Sequence, residues 1–238
     1  MARASVAASQ FEDPLTYLPR KPVQEFAKRR IIYDQHQPSD SLYVVILGRV
    51  KVTTTAEEGF ETIGRILSAE GLFGESALIG DRNRTESAVA LDDVTVMAWT
   101  RAEIELHIDR EPRLGIALAQ YLVRQCLDLQ DRIESMAMYK TPERVMLALV
   151  QLAGALGTPM ADGSTRIVSL THHTLAEYIG TSREIITFQM NRLRRAGMIR
   201  YSRKSIDIYA GAIKSALHEQ GVSLPQPAGG EIASQAAN

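Results

Sequence analysis

The sequence predicts an α+β chain in three parts: a β-rich first domain, one long helix, and a small domain carrying a winged helix-turn-helix. Three observations predict it. Apolar residues alternate with period two from Arg30 to Thr100, then recur at spacings of 3, 4, 3, 4, 3 from Ala119 to Met136. Two short helical stripes and a basic hairpin pattern follow, ending near Tyr209.

In the first part, Leu42, Val44 and Ile46 alternate with Tyr43, Val45 and Leu47, and Val50, Val52, Ile63, Val89, Leu91, Val94, Val96 and Ala98 follow. Turns at Gly48, Glu58-Gly59, Gly71, Gly80-Asp81 and Asp92-Asp93 cut this run into short strands, the pattern of a sandwich or barrel. Ala119, Leu122, Cys126, Leu129, Ile133 and Met136 then form an a/d heptad seam, flanked by Arg124, Gln125, Asp128, Gln130, Asp131 and Arg132. Such a stripe often packs on its own domain, but this one is narrow, which favours a helix that pairs with its own copy. Thr141-Pro142 opens the next helix, with Val145, Met146, Leu149, Val150 and Leu152 inward and a stop near Gly157. The tail from about His218 is rich in Gly, Ala, Pro and Gln and is expected to be disordered. The expected organisation is therefore 1–112, 113–140, 141–217 and 218–238.

The totals narrow the function classes. The chain has 238 residues, enough for two cores, with 45% hydrophobic and 23% charged residues. No apolar run approaches the roughly 20 residues that span a bilayer, and the start MARASVAASQFEDP has no apolar core for a secretory signal. A cytoplasmic protein without membrane contact is expected. A single cysteine, Cys126, excludes an internal disulfide and a four-cysteine zinc or iron–sulfur site within one chain. Net charge is −1, yet Thr141 to Ser215 holds ten Lys/Arg against five Asp/Glu, while Met1 to Lys140 holds 17 against 21. That asymmetry points to a polyanion partner for the second half.

The segment THHTLAEYIGTSREIITFQMNRLRRAGMIRYSRKSIDIY, Thr171 to Tyr209, carries the strongest signal. Thr171 caps a helix with Leu175, Ala176 and Ile179 inward, and Gly180 makes the turn. Thr181-Ser182-Arg183-Glu184 reads as a capping box opening a second helix, about 182–196. Ile185, Met190, Leu193 and Met198 are expected to hold that helix in the core, leaving Arg183, Thr187, Asn191, Arg194 and Arg195 outward for bases and phosphates. Ser202-Arg203-Lys204-Ser205 makes a basic wing. His172-His173 sit at a helix start, suited to capping or to backbone phosphate. The candidate DNA set is Thr171, His173, Thr181, Ser182, Arg183, Glu184, Thr187, Phe188, Gln189, Arg203 and Lys204.

The chain resembles the Crp/Fnr family of bacterial transcription regulators over Arg30 to Tyr209, on the motifs SLYVVILGRVKV, GLFGESAL and GTSREIITFQMNRLRRAGMI. The resemblance implies an N-terminal double-stranded β-helix (a β-roll of the cyclic-nucleotide-binding kind), a long dimerisation helix and a C-terminal winged helix-turn-helix. It also implies a homodimer, paired through Leu122, Cys126, Leu129, Ile133 and Met136, on a pseudo-palindromic operator, with RNA polymerase as a partner. Family recognition helices commonly read bases with Arg and Glu at the positions of Arg183 and Glu184, plus an Arg one turn later, where this chain has Phe188. Either Phe188 meets a thymine methyl, or it packs inward and Gln189 or Thr187 takes the role. His36 stands where the family usually has a turn glycine; it has no spaced metal-ligand partner, and no metal site is expected.

The resemblance also defines a candidate ligand set: Gly74, Glu75, Arg84, Thr85 and Glu86. In nucleotide-binding members the Glu takes the ribose hydroxyl, and the Arg with the Ser/Thr takes the cyclic phosphate. Glu86 replaces a small residue there, and strand parity puts it on the side of Arg84. It would repel a phosphate by on the order of 4 kcal/mol at an effective dielectric of about 20, or pair with Arg84 internally. Leu129 and Gln130 stand where the family's cyclic AMP receptor has a Thr-Ser pair that meets adenine. A pocket compromised for cyclic AMP is expected; the alternative is an ordinary cyclic AMP site at Gly74–Thr85, with a cyclic nucleotide as effector. No catalytic set is found, so no enzyme activity is expected. A nucleotide-sensing module of an enzyme or transporter would lack 171–209, and a sequence-indifferent architectural DNA binder is the other rival.

Overall fold

The computed structural model describes residues 11–57, 59–80, 83–202 and 204–222. The first domain is a β-roll of two four-stranded antiparallel sheets. Its strands are β1 (Gln24–Phe26), β2 (Ile31–Tyr33), β3 (Ser41–Leu47), β4 (Val50–Thr55), β5 (Glu61–Leu67), β6 (Leu72–Phe73), β7 (Ser87–Ala90) and β8 (Val94–Thr100). One sheet runs β1-β8-β3-β6 and the other β2-β7-β4-β5.

The β3 strand is covered on both faces from Leu42 to Val45, which explains the apolar run there, while Ile46 and Leu47 are exposed. Val45, with Tyr43 packed alongside, lines the roll interior with Tyr33, Val52, Phe73, Ala88 and Val96. Leu42 and Val44 face outward onto Trp99, Ile104, Leu114 and Leu118. The last three belong to α1 (Arg101–Arg110), opened by a Thr100/Glu103 capping box, and α2 (Arg113–Met138). The turn before β3 puts His36 at φ 71°, a left-handed conformation that histidine tolerates better than most residues.

From α2 onward the chain is helical around a small sheet. Pro142 sits in the first turn of α3 (Thr141–Leu156), and β9 (Thr158–Pro159) and β10 (Thr165–Val168) follow. Next come α4 (His172–Ile179), α5 (Arg183–Arg195), β11 (Ile199–Tyr201), β12 (Ser205–Ile208) and α6 (Ala210–Glu219). The strand order of this small sheet is β11-β12-β10-β9, of which the alternation around the wing shows only the β11–β12 hairpin. A disordered tail from His218 is not what the structure has at its start: α6 continues to Glu219 and Val222 is buried against the core. Residues beyond 222 lie outside the described residues.

The two domains share packing. Ile63 and Ile66 of β5 join the same apolar cluster as Val145, Leu149, Leu175 and Ile186. Arg132 of α2 ties the junction, donating to the Tyr178 carbonyl at 3.0 Å, to those of Ile63 and Gly64, and lying 4.7 Å from the Tyr178 ring centre. Arg49 donates to the Val168 carbonyl at 3.0 Å.

Candidate nucleic-acid interface and sensor interior

The α4 helix starts at the Thr171 N-cap, whose hydroxyl accepts from the Thr174 N–H at 3.0 Å, and ends at Gly180 with φ 74°. That left-handed residue lets the chain reverse into α5 without strain. Ser182, not Thr181, caps α5: its hydroxyl accepts from the Ile185 N–H at 3.3 Å. The expected capping box therefore does not form: the third helical position is Ile185, and Glu184 falls at the second. Its own backbone N–H, then Ser182, hold its carboxyl below the usual range. Carboxylates are favoured there by the helix dipole.

The buried face of α5 is Ile186, Gln189, Met190 and Leu193. Two expectations fail on it. Ile185 is 42% exposed and Ile186 takes its core place, because neighbouring helical residues point about 100° apart. Gln189 is 7% exposed, so its amide is turned away from DNA, whereas Phe188 is 65% exposed rather than packed inward. Arg183, Glu184, Arg192, Arg194 and Arg195 are exposed. Thr187 is half-buried, its hydroxyl donating to the Arg183 carbonyl at 2.8 Å and bonded to His172 Nδ1 at 2.9 Å.

Sequence reasoning missed His172 as a joint. With the Thr187 proton committed to Arg183, Nδ1 must donate to Thr187 and Nε2 accept from the Tyr201 hydroxyl at 3.1 Å. This neutral ring links α4, α5 and the wing, and burial, then Arg183, holds its pKa below the usual value. His173 is exposed, with Nε2 at 2.9 Å from Glu177. Lys204 is exposed at the wing tip, and Arg203 lies outside the described residues.

In the roll, Gly74, Glu75, Arg84 and Glu86 do converge, but on protein groups. Arg84 is 1% exposed; Nη1 donates to the Gly74 carbonyl at 2.8 Å and Nη2 to the Ser41 carbonyl at 2.6 Å. Its guanidinium carbon lies 4.1 Å from the Tyr33 ring centre, within cation–π range. Tyr33, Tyr43 and Phe73 fill the adjoining space, with centroids 5.2 to 6.0 Å apart. Gly74 takes φ 81°, and a Cβ there would stand 2.9 Å from Arg84 Nη1.

The Glu86–Arg84 ion pair weighed from the sequence does not form. Glu86 accepts instead from the Tyr33 hydroxyl at 2.9 Å, and burial raises its pKa against that hydrogen bond. Glu75 is taken on both oxygens by Arg65, at 2.7 and 2.8 Å. Thr85 is exposed at the surface. Every charged group of the expected phosphate and ribose site thus has a partner inside the domain.

Comparison with known proteins matches a cyclic nucleotide-binding domain model over residues 23–110 and a Crp-like helix-turn-helix model over 143–210. The transcriptional regulator SdrP of Thermus thermophilus is 32% identical over 68% of this chain and 76% of its own. The chain belongs to the Crp/Fnr family of bacterial transcription regulators. A CRP-like cAMP-activated global transcriptional regulator of Mycobacterium tuberculosis is 27% identical over 76% of this chain and 81% of its own. The crystal structure of a CRP/FNR-family transcriptional regulator from Thermus thermophilus superposes with a TM-score of 0.67 at 27% identity, covering 83% of this chain and 98% of its own. The family assigns DNA binding to the helix-turn-helix and places this chain among transcription regulators rather than enzymes. Among the described residues no helix is long and apolar enough to cross a membrane.

Proposed function

We propose that this Crp/Fnr-family regulator is a cytoplasmic homodimer that recognises a pseudo-palindromic operator without a cyclic nucleotide, acting with RNA polymerase at promoters. The observation that carries the nucleotide-independent reading is Arg84: buried, bonded to two backbone carbonyls and stacked against Tyr33. A cyclic phosphate would have to displace these contacts and the ring together. Self-pairing is supported by the seam Leu122, Cys126, Leu129, Ile133 and Met136, all exposed in the single chain. Thr171, His173, Ser182, Arg183, Glu184 and Lys204 remain the polar DNA set, because each is exposed around the helix-turn-helix and wing.

Selection of random duplex DNA by the purified full-length protein, with no nucleotide added, tests this. We expect a pseudo-palindrome with half-sites about 34 Å apart, the spacing of two-fold helix-turn-helix dimers. Arg183→Ala is expected to cost roughly 1–3 kcal/mol and to relax preference at one position per half-site. Equal weakening on unrelated DNA would reduce Arg183 to a phosphate contact, and failure to enrich any sequence would contradict the reading.

A further inference from the structure

We propose that the first two turns of α5 read thymine: Ile185 and Phe188 form an apolar reader for the 5-methyl groups of thymines in the major groove. The inference rests on the DNA-binding reading and adds what the helix recognises. Ile185 and Phe188 are 42% and 65% exposed, and three residues apart they share one face of the helix. Arg183 and Glu184 lie on the N-terminal side of this pair and Arg192 on the C-terminal side, all exposed, so the apolar patch is continuous with a charged surface suited to a groove.

Polar readers are scarce at that height of the helix. Gln189 is buried, the Thr187 hydroxyl is bonded to the Arg183 carbonyl and to His172, and Asn191 turns one amide N–H back to the Thr187 carbonyl at 3.0 Å. Two exposed apolar side chains gain by leaving water. On the base edges of the major groove, the apolar group on offer is the thymine methyl. Guanine, which the usual arginine one turn into the helix would address, has no apolar group there.

The test takes the operator selected by the native protein and replaces its thymines, one symmetric pair at a time, with uracil, which lacks only that methyl. At one or two positions per half-site the affinity is expected to fall about threefold to fivefold for each contacted methyl. Phe188→Ala should erase that difference, and Phe188→Arg should shift the selected base from thymine toward guanine. An operator bound equally well with uracil at every position would overturn the inference while leaving sequence-specific binding intact, as would a uracil penalty unchanged in both Phe188→Ala and Ile185→Ala. Selection of no sequence at all would overturn the DNA-binding reading itself.

Discussion

Arg84 shows how one residue's partners change what a pocket can do. A buried guanidinium must be satisfied, and here two carbonyls and a tyrosine face satisfy most of it, though Nε has no hydrogen-bond partner. Glu86 was legible as an obstacle to phosphate because it stands two residues from Arg84, although both precede β7 and strand parity does not set its side. Its partner was not, since Tyr33 lies 53 residues earlier on β2 and meets it only across the sheet. The correction changes the expected chemistry: removing Glu86 leaves Arg84 bonded and stacked, so Glu86→Ala alone should not create a phosphate site. Burial raises the Glu86 pKa, so folding favours its protonated form and stability is lost as pH rises through the gap between unfolded and folded values. Glu86→Gln keeps an acceptor for Tyr33 without the charge. Its melting temperature should exceed the native one at neutral pH, by about 2–4 °C for each kcal/mol gained, and the advantage should vanish in acid.

At the level of elements, the helix-turn-helix was the most legible part because its signals are local: a cap, a left-handed glycine, a second cap. The phase of α5 was less so. Ile185 and Ile186 are adjacent, both apolar, and either could begin the buried stripe until α4 and α3 are in place. β10 was missed because its partner β12 lies some 40 residues on, and its exposed Val168 blurs the alternation. His172 couples three elements through one neutral ring, which gives a pH signature. Its folded pKa lies below the ordinary value, so the unfolded chain takes up the proton first and stability falls as pH drops below about 6.5. Melting the native protein and His172→Gln between about pH 7 and about pH 5.5 should show a steeper loss in the native protein. Parallel curves would mean that the ring is not the titrating joint.

For the whole molecule, the three-part order was readable from the changes of period alone, while the contact between the parts was not. Arg132 bridges β5 and α4 from α2, a junction made by residues far apart in sequence. The exposed seam runs along α2 beside Arg132, through Leu129, Ile133 and Met136. Burying it against a second copy would remove Leu122, Leu129, Ile133 and Met136 from water. Light scattering should therefore give roughly twice 26.3 kDa. Ile133→Asp, at a side chain 68% exposed in the single chain, should shift the mass toward one copy and weaken binding to the full palindrome more than to a half-site.

The central claim, that the roll is closed by its own side chains and the regulator needs no nucleotide, is tested most directly by titrating the selected operator with the native protein, with and without saturating cyclic AMP. An effector shifts an equilibrium only through differential affinity, so with Arg84 and Glu75 already engaged the two curves should agree within about twofold. Tightening by about tenfold or more, equivalent to about 1.4 kcal/mol, would show that the nucleotide displaces Tyr33 and would contradict the account.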